Sequence, residues 1–477
     1  VSVVGLARSR SRLYRMYNIA RSGEDQAVIN QTKSILFRGI RRAGVAAGAV
    51  GLAGLLCTSA LAEGLGTASA PIEVRIVGNE AFVKAWQQTL VPEFNKEFPN
   101  INVVFDGVPY TELLAKMMLD ATSPDPEYDI LLVDDPWVPQ LAQIGALKDL
   151  KGSEIAGMTS ADYDWDDFNA APLAAGAWDG VQYAVPVRSN VLLRFYNRKL
   201  YQEAGLPEPT PAQTWDEFFA EAPKLVRDTN GDGKDDVWAI DTYFVREPLT
   251  PTIWQSILNA NGGSLLDDAG KPAFANEIGE KSLETHKRLL DYAPPGALGH
   301  GFSESLQAFR QGMVANMFNW GSVYKSTAVD PKSTTLTVDQ VGIQVLPVGT
   351  ASAGTHRGIW IAGVSSKTEE TEASWAFLQW LTSKQGESIN AALMGSFPAR
   401  KSTLAGTPAE PWLGPVYATL QQAYEAAETG HMWRIRSPKS DAAQQILADE
   451  IARGLAGQAS ASEALSTAAG KIEKALR

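Results

Sequence analysis

Apolar residues recur along this chain with two periods, and the switches between them mark its elements. From Pro71 the run IEVRIVG reads as a short β-branched strand, and EAFVKAWQQTLVPEFNKEF places apolar residues at helical spacing. Pro99-Asn100 ends that helix, INVVFDGV reads as a second strand, TELLAKMMLDA as a helix and YDILLVDD as a third strand. PWVPQLAQIGAL then starts another helix, with Pro136 suited to its first turn. This alternation predicts a parallel, doubly wound α/β sheet. A second such region follows Val187. There VLLRFYN is a strand, RKLYQEAG a helix closed by Gly205, and TWDEFFAEAPKLVRD a helix with Thr214 as N-cap. VGIQVLPV and WIAGVSS are further buried-strand patterns. EASWAFLQWLTSKQGESINAAL reads as one long amphipathic helix, and the tail as two helices around a Gly/Ser break.

One strand end carries unusual chemistry. In LLVDDPWVPQL an apolar run stops at Asp134 and Asp135, followed by Pro136 and Trp137. Near-continuous apolar strands are expected where both faces of a sheet are covered, and ligands on such sheets bind beyond the strands' carboxyl ends. One aspartate is expected to cap the following helix. The other is expected to face a ligand.

Composition changes the picture in one respect. The 477 residues suffice for two domains, and a formal net charge of −12 argues against nucleic acid as a partner. Residues 1–62, however, carry +7, leaving −19 for the remainder. Arg41-Arg42 precede AGVAAGAVGLAGLLCTSALA, which ends in the small-x-small triplet Ala60-Leu61-Ala62. Residues 1–62 therefore read as an N-terminal extension plus a secretory signal cut after Ala62. Met16 is one candidate initiator. The only cysteine, Cys57, lies inside that segment, so the exported chain is expected to hold no disulfide and no Cys-metal site.

Seven stretches, in order from about Ile72 to Leu476, resemble the extracellular sugar-binding components of ABC importers, the group of maltose- and trehalose-binding proteins. They are FPNINVVFDGVPYTELLAKM, ILLVDDPWVPQLAQIGALKDL, GVQYAVPVRSNVLLRFYNRKLYQEAGLPEPTPAQTWDEF, LNANGGSLLDD, FRQGMVANMFNWGSVY, FPARKST and GQASASEALSTAAGKIEKAL. The family's Gly-Gly-Trp segment reads Arg357-Gly358-Ile359-Trp360 here, with the aromatic displaced by one. The resemblance implies a two-lobed periplasmic-binding-protein fold with a sugar in the cleft. Lobe 1 would be 63–187 with 346–396, and lobe 2 would be 188–345 with 397–477. It implies a carbohydrate ligand, inner-membrane ABC permease subunits as partners, a monomer in the periplasm, no cofactor and no enzymatic activity.

Sugar hydroxyls are gripped by carboxylates and planar donors, and C–H faces stack on aromatic rings. By position the expected ligand-binding residues are Glu80, Tyr110, Asp134, Asp135, Trp137, Arg188, Asn190, Asp241, Tyr243, Trp320, Tyr324, Arg357 and Trp360. Each also has a structural reading, as a cap, an exposed carboxylate or a core aromatic. In DTNGDGKDD, the residues Asp228, Asn230 and Asp232 fit the early positions of a calcium loop, but the twelfth position is Ala239. An exposed acidic turn is the plainer reading. The four histidines are scattered, and HExxH, GxSxG and P-loop motifs are missing. A secreted glycan-active enzyme remains the rival class, because paired carboxylates and tryptophans also build glycosidase clefts. A binding protein that feeds only a chemoreceptor is a third reading.

Overall fold

The computed structural model describes residues 65–428 and 434–477. The expected signal segment, its Cys57 and the cleavage site after Ala62 lie outside the described residues. The account below concerns the unit 66–477.

The strands are β1 (Ile72–Asn79), β2 (Ile101–Val108), β3 (Ile130–Asp134), β4 (Ala177–Trp178), β5 (Val181–Gln182), β6 (Val185–Arg188), β7 (Leu192–Asn197), β8 (Asn316–Trp320), β9 (Val341–Gln344) and β10 (Trp360–Val364). The first sheet has the order β2-β1-β3-β10-β6, and its first three strands are parallel, as the alternation predicts. β10 joins it antiparallel to both β3 and β6. Every residue of β3 is buried. That agrees with its unbroken apolar run and with helices on both faces. The helices α1 (Glu80–Phe94) and α2 (Tyr110–Thr122) follow β1 and β2, and Asn79 caps α1 by accepting from the Ala81 N–H at 2.8 Å.

The second sheet is smaller. Its order is β8-β7-β9, and β7 runs antiparallel to both neighbours. Its core holds Trp254, Phe274 and Phe318, together with Leu447, Ile451, Leu465 and Ile472 of the tail helices. Thr214 closes a reciprocal capping box with Glu217, and Gly205 sits at φ 67° after the Arg198–Glu203 helix. Both follow the sequence reading. One expectation fails: the segment from Glu372 is two helices, Thr371–Leu381 and Lys384–Met394. Ser383 interrupts it because its hydroxyl accepts from the Gly386 N–H and starts a new N-terminus.

The two sheets are joined directly. The chain leaves β6 at Arg188 and enters β7 at Leu192. Residues 348–351 hydrogen-bond to Gln213 and Ala260, and the Thr355 hydroxyl donates to the Leu192 carbonyl. The chain then enters the first sheet at Trp360. A third stretch, 434–440, lies across the end of the first sheet. The Ser440 hydroxyl donates to the Pro136 carbonyl at 2.7 Å, and the Ser440–Leu455 helix starts there and packs on the second sheet's core.

Candidate ligand-binding site

The site forms where the strands of the first sheet end. Asp134 is the last residue of β3, and its Oδ1 accepts from the Asp135 N–H, which caps a short turn of helix over Asp135–Trp137. The cap expected from sequence is therefore Asp134. Its carboxylate does more than cap. Arg434 donates to both oxygens, at 2.7 and 2.9 Å, and the Tyr110 hydroxyl donates to Oδ2 at 2.8 Å. Arg434 also binds Asp135 Oδ1, while Asp135 Oδ2 is buried without a partner. Asp135 is 1% exposed. Burial, partly opposed by Arg434 and reinforced by Asp134, pushes its pKa up to about 6. Burial and then Asp134 push the Tyr110 phenol well above its ordinary value, so it stays a donor.

The aromatic residues of this corner touch one another. Trp137 lies 5.2 Å from Tyr110 and 6.3 Å from Trp360, centre to centre. Phe82 meets Trp360 edge-on at 5.0 Å. Trp360 pairs with Asp134 on one side and Arg188 on the other, so β10 brings three expected residues into one row. The Arg188 guanidinium sits 5.1 Å from the Phe82 ring centre. A cavity of about 330 Å³ opens beside the corner. Tyr110, Trp137 and Arg434 line it on one side, with Thr252, Asp441 and Gln444 on the other. It combines aromatic faces with a guanidinium and amides, groups suited to a polar ligand with C–H surface.

The crossing from β6 to β7 is firmly tied. The Asn190 side-chain oxygen accepts from the Val191 and Ser322 N–H groups, and its amide donates to the Ser322 hydroxyl. These contacts of the Asn190 side chain all serve the crossing. Trp320 ends β8 against His356, at 5.7 Å, and against the backbone of Gly358, where a Cβ would come within 2.8 Å of the indole. A glycine is required there because the ring occupies the side-chain space. The Arg357–Trp360 register follows from this: Gly358 backs Trp320, Arg357 is buried beside Val191, and Trp360 turns to the first sheet's aromatics.

Other expected residues lie apart. Glu80 is exposed at the start of α1. Asp241 is fully buried and bonded to His300 Nδ1 at 2.8 Å, and burial raises its pKa to about 6. The Tyr243 hydroxyl donates to Asn319 inside the second core, and Tyr324 packs between Phe195 and Trp412. In the acidic loop the Asp228 carboxylate accepts from the Gly231 and Gly233 N–H groups at 2.6 and 2.7 Å. The Asn230 side chain accepts from the Asp232 N–H. Among the described residues no three or more His, Cys, Asp or Glu side chains group as metal ligands.

Sequence reasoning missed Phe82, Arg434 and Arg436. Phe82 read as an ordinary apolar position of α1. The signal for the arginines was Arg434-Ile435-Arg436, a basic pair between two tail helices, and its partners lie about 300 positions away in sequence.

A two-sheet α/β fold with a polar, aromatic-lined site at the first sheet's end is the architecture of a solute receptor. The chain belongs to the bacterial extracellular solute-binding protein family, whose model matches residues 79–388. It is 26% identical over 310 residues to a probable amino-acid ABC transporter periplasmic-binding protein of Sinorhizobium fredii, covering 65% of this chain and 68% of that one. It is 24% identical over 369 residues to the mannitol-binding protein of Pseudomonas aeruginosa, covering 76% and 79%. Its fold matches the ribitol complex of an ABC transporter solute-binding protein from Agrobacterium radiobacter K84 with a TM-score of 0.71, at 26% identity, over 84% of this chain and 98% of that one.

Proposed function

We propose that this protein is a periplasmic receptor that captures a sugar or polyol and delivers it to an ABC-type permease, without covalent chemistry. The observation that carries the reading is the corner at the end of the first sheet. There Tyr110, Trp137 and Arg434 line a cavity of about 330 Å³, in a family of solute-binding proteins. The mannitol and ribitol named for two relatives support a polyhydroxylated ligand over an amino acid. Asp134 and Asp135 are both engaged by one guanidinium, which argues against a glycosidase pair, where two separate carboxyls must act independently.

The lobes follow the two sheets. The first holds residues up to Arg188 and again from Trp360 to Met394, and the second holds the chain from Leu192 together with the tail helices Ser440–Leu455 and Ala461–Leu476. The stretch 346–356, expected with the first lobe, hydrogen-bonds to Gln213, Ala260 and Leu192 of the second. Hinge closure about these crossings is the functional motion, with the ligand favouring the closed form. Export would follow cleavage after Ala62, which N-terminal sequencing of the periplasmic protein tests.

A thermal-shift screen over sugars, polyols and amino acids tests the ligand class, because a ligand that binds only the folded state raises its stability. The expected result is a rise with one or more polyhydroxylated compounds, stoichiometric binding and no turnover on prolonged incubation. A rise confined to amino acids, or conversion of the sugar, overturns the reading.

A further inference from the structure

We propose that the ligand carries an anionic group, carboxylate or phosphate, on its sugar or polyol frame, and that Arg188 grips that group. The inference rests on the carbohydrate reading above and goes further by fixing the ligand's charge.

It follows from how the cationic groups at the first sheet's edge are used. Arg434 is committed to Asp134 and Asp135. Arg436 donates to the carbonyls of Ala174, Ala175 and Ala177 at the end of the Ala170–Ala175 helix. Arg188 stands one strand away, its backbone paired with Trp360, and among the described residues its side chain makes no hydrogen bond and no ion pair. Its Nε is buried with no acceptor. Burial alone holds its pKa down, to about 10, with no carboxylate acting against it. The helix packed against it contributes Phe82 to the guanidinium face, and that helix's first acidic residue, Glu80, is exposed and forms no ion pair.

Arg188 is thus a half-buried cation with open donors and no counter-charge. Cleft closure over it would remove the remaining water, and an unpaired buried charge is strongly unfavourable. A neutral hydroxyl accepts one hydrogen bond and leaves the charge uncancelled. A carboxylate or phosphate matches the guanidinium fork with two parallel bonds and neutralises it. The half-buried ring of Trp360 beside it leaves the ligand's C–H frame a surface to lie on, while Phe82 is buried beneath the guanidinium.

Calorimetric titration of the purified protein with compounds matched except for charge tests this. Suitable sets are glucose, glucuronate and glucose 6-phosphate, and galactitol with galactonate. The acidic member of at least one set should bind tenfold or more tighter than its neutral partner, less so at high salt. The carboxylate and phosphate arms decide between the two anions. Arg188→Gln should lose at least tenfold for the acid and under threefold for the neutral partner, and Arg188→Lys should retain part of the preference. Tighter binding of the neutral member in every set overturns the proposal and leaves the carbohydrate reading standing. Equal loss for acid and neutral partner in Arg188→Gln overturns it too. Binding of no acidic member by the wild-type protein overturns the proposal, and the carbohydrate reading is then decided by the wider thermal-shift screen. The wild-type comparison stands even where a variant fails to fold.

Discussion

The residues at the end of the first sheet and those of the second region share a sequence signature and end in opposite surroundings. Tyr110, Asp134, Asp135, Trp137 and Trp360 touch one another or a common arginine, beside a cavity. Tyr243, Tyr324 and Asp241 also follow strand-like runs, yet each is absorbed by its own core through Asn319, Phe195 and His300. A position after a strand tells which end of a sheet a residue occupies. It does not tell which way the side chain turns, because that depends on what packs against the sheet. At the first sheet the partner is a charged strap, Arg434 to Ser440. At the second it is apolar helices.

The strap offers the strongest way to break this contrast. Arg434→Met leaves two buried carboxylates without their cation. Removing one partner of such a group costs about 3–5 kcal/mol. Urea denaturation should show that loss, and Arg434→Lys should recover only part of it, since an ammonium cannot reproduce the bidentate geometry. Adding Asp135→Asn to Arg434→Met should restore some stability by removing a stranded charge. Unchanged stability in Arg434→Met would mean that water replaces the strap, and the two regions would then differ less than the geometry implies.

A paired experiment separates the aromatics. Tyr324→Ala should cost stability on the scale of a core aromatic truncation, about 3–5 kcal/mol, and change ligand affinity by less than about threefold. Trp137→Ala should lose about 1–3 kcal/mol of binding, roughly 5- to 150-fold, as for a buried anchor. It should also lose stability, because Trp137 is only 4% exposed and packs with Val133 and Leu141. Calorimetry with a ligand from the screen, and a denaturation curve for each variant, read the two effects. Normal binding by Trp137→Ala would reduce the corner to a packing device.

Much of this was legible in sequence, for physical reasons. β1 to β3 follow from short apolar, β-branched runs between helical patterns, of which only the unbroken run of β3 is buried throughout, and a cap by one of the two aspartates follows from their place before Pro136. Arg434 was not legible. An ion pair spanning 300 residues leaves no local pattern, and a basic pair in a polar tail looks like any solvated stretch. The surroundings of Tyr324 were not legible either: it follows a strand-like run as Trp137 does, but Trp412 and Phe195 draw its ring into the core. The antiparallel entry of β10 was also hidden, since a buried apolar run has no direction.

The charge state of Asp135 sharpens the comparison on a smaller scale. Burial raises its pKa to about 6, above that of an unfolded aspartate. A carboxyl raised in this way takes up a proton on folding, so it adds stability as pH falls from 7 toward 5 and withdraws it as pH rises. Asp135→Asn fixes the neutral form and lacks this dependence. The variant's stability relative to wild type should therefore fall by about 1 kcal/mol between pH 7 and pH 5. Denaturant melts at both pH values measure it. A difference that is flat with pH would mean that Arg434 holds both carboxylates ionised throughout.

The smallest effect is expected at the acidic loop, which is the first sheet's corner without its burial. Asp134 and Asp135 are covered and share a cation, whereas Asp228 is exposed and satisfied by its own loop. The Gly233 N–H, then the Gly231 N–H, hold its pKa below the usual carboxylate range. Both glycines lie at positive φ, 85° and 78°, which lets their N–H groups turn toward the carboxylate. A carboxylate engaged in this way supports a turn, and it lies outside the lining of the corner's cavity. Asp228→Asn should leave ligand affinity unchanged and shift the melting temperature little, since surface substitutions away from special features have small effects. Chelator should also leave affinity unchanged. A clear rise in melting temperature with calcium, abolished by Asp228→Asn, would instead make the loop a cation site. The second region would then hold a working acidic cluster of its own, and the contrast with the first sheet would narrow to the aromatics alone.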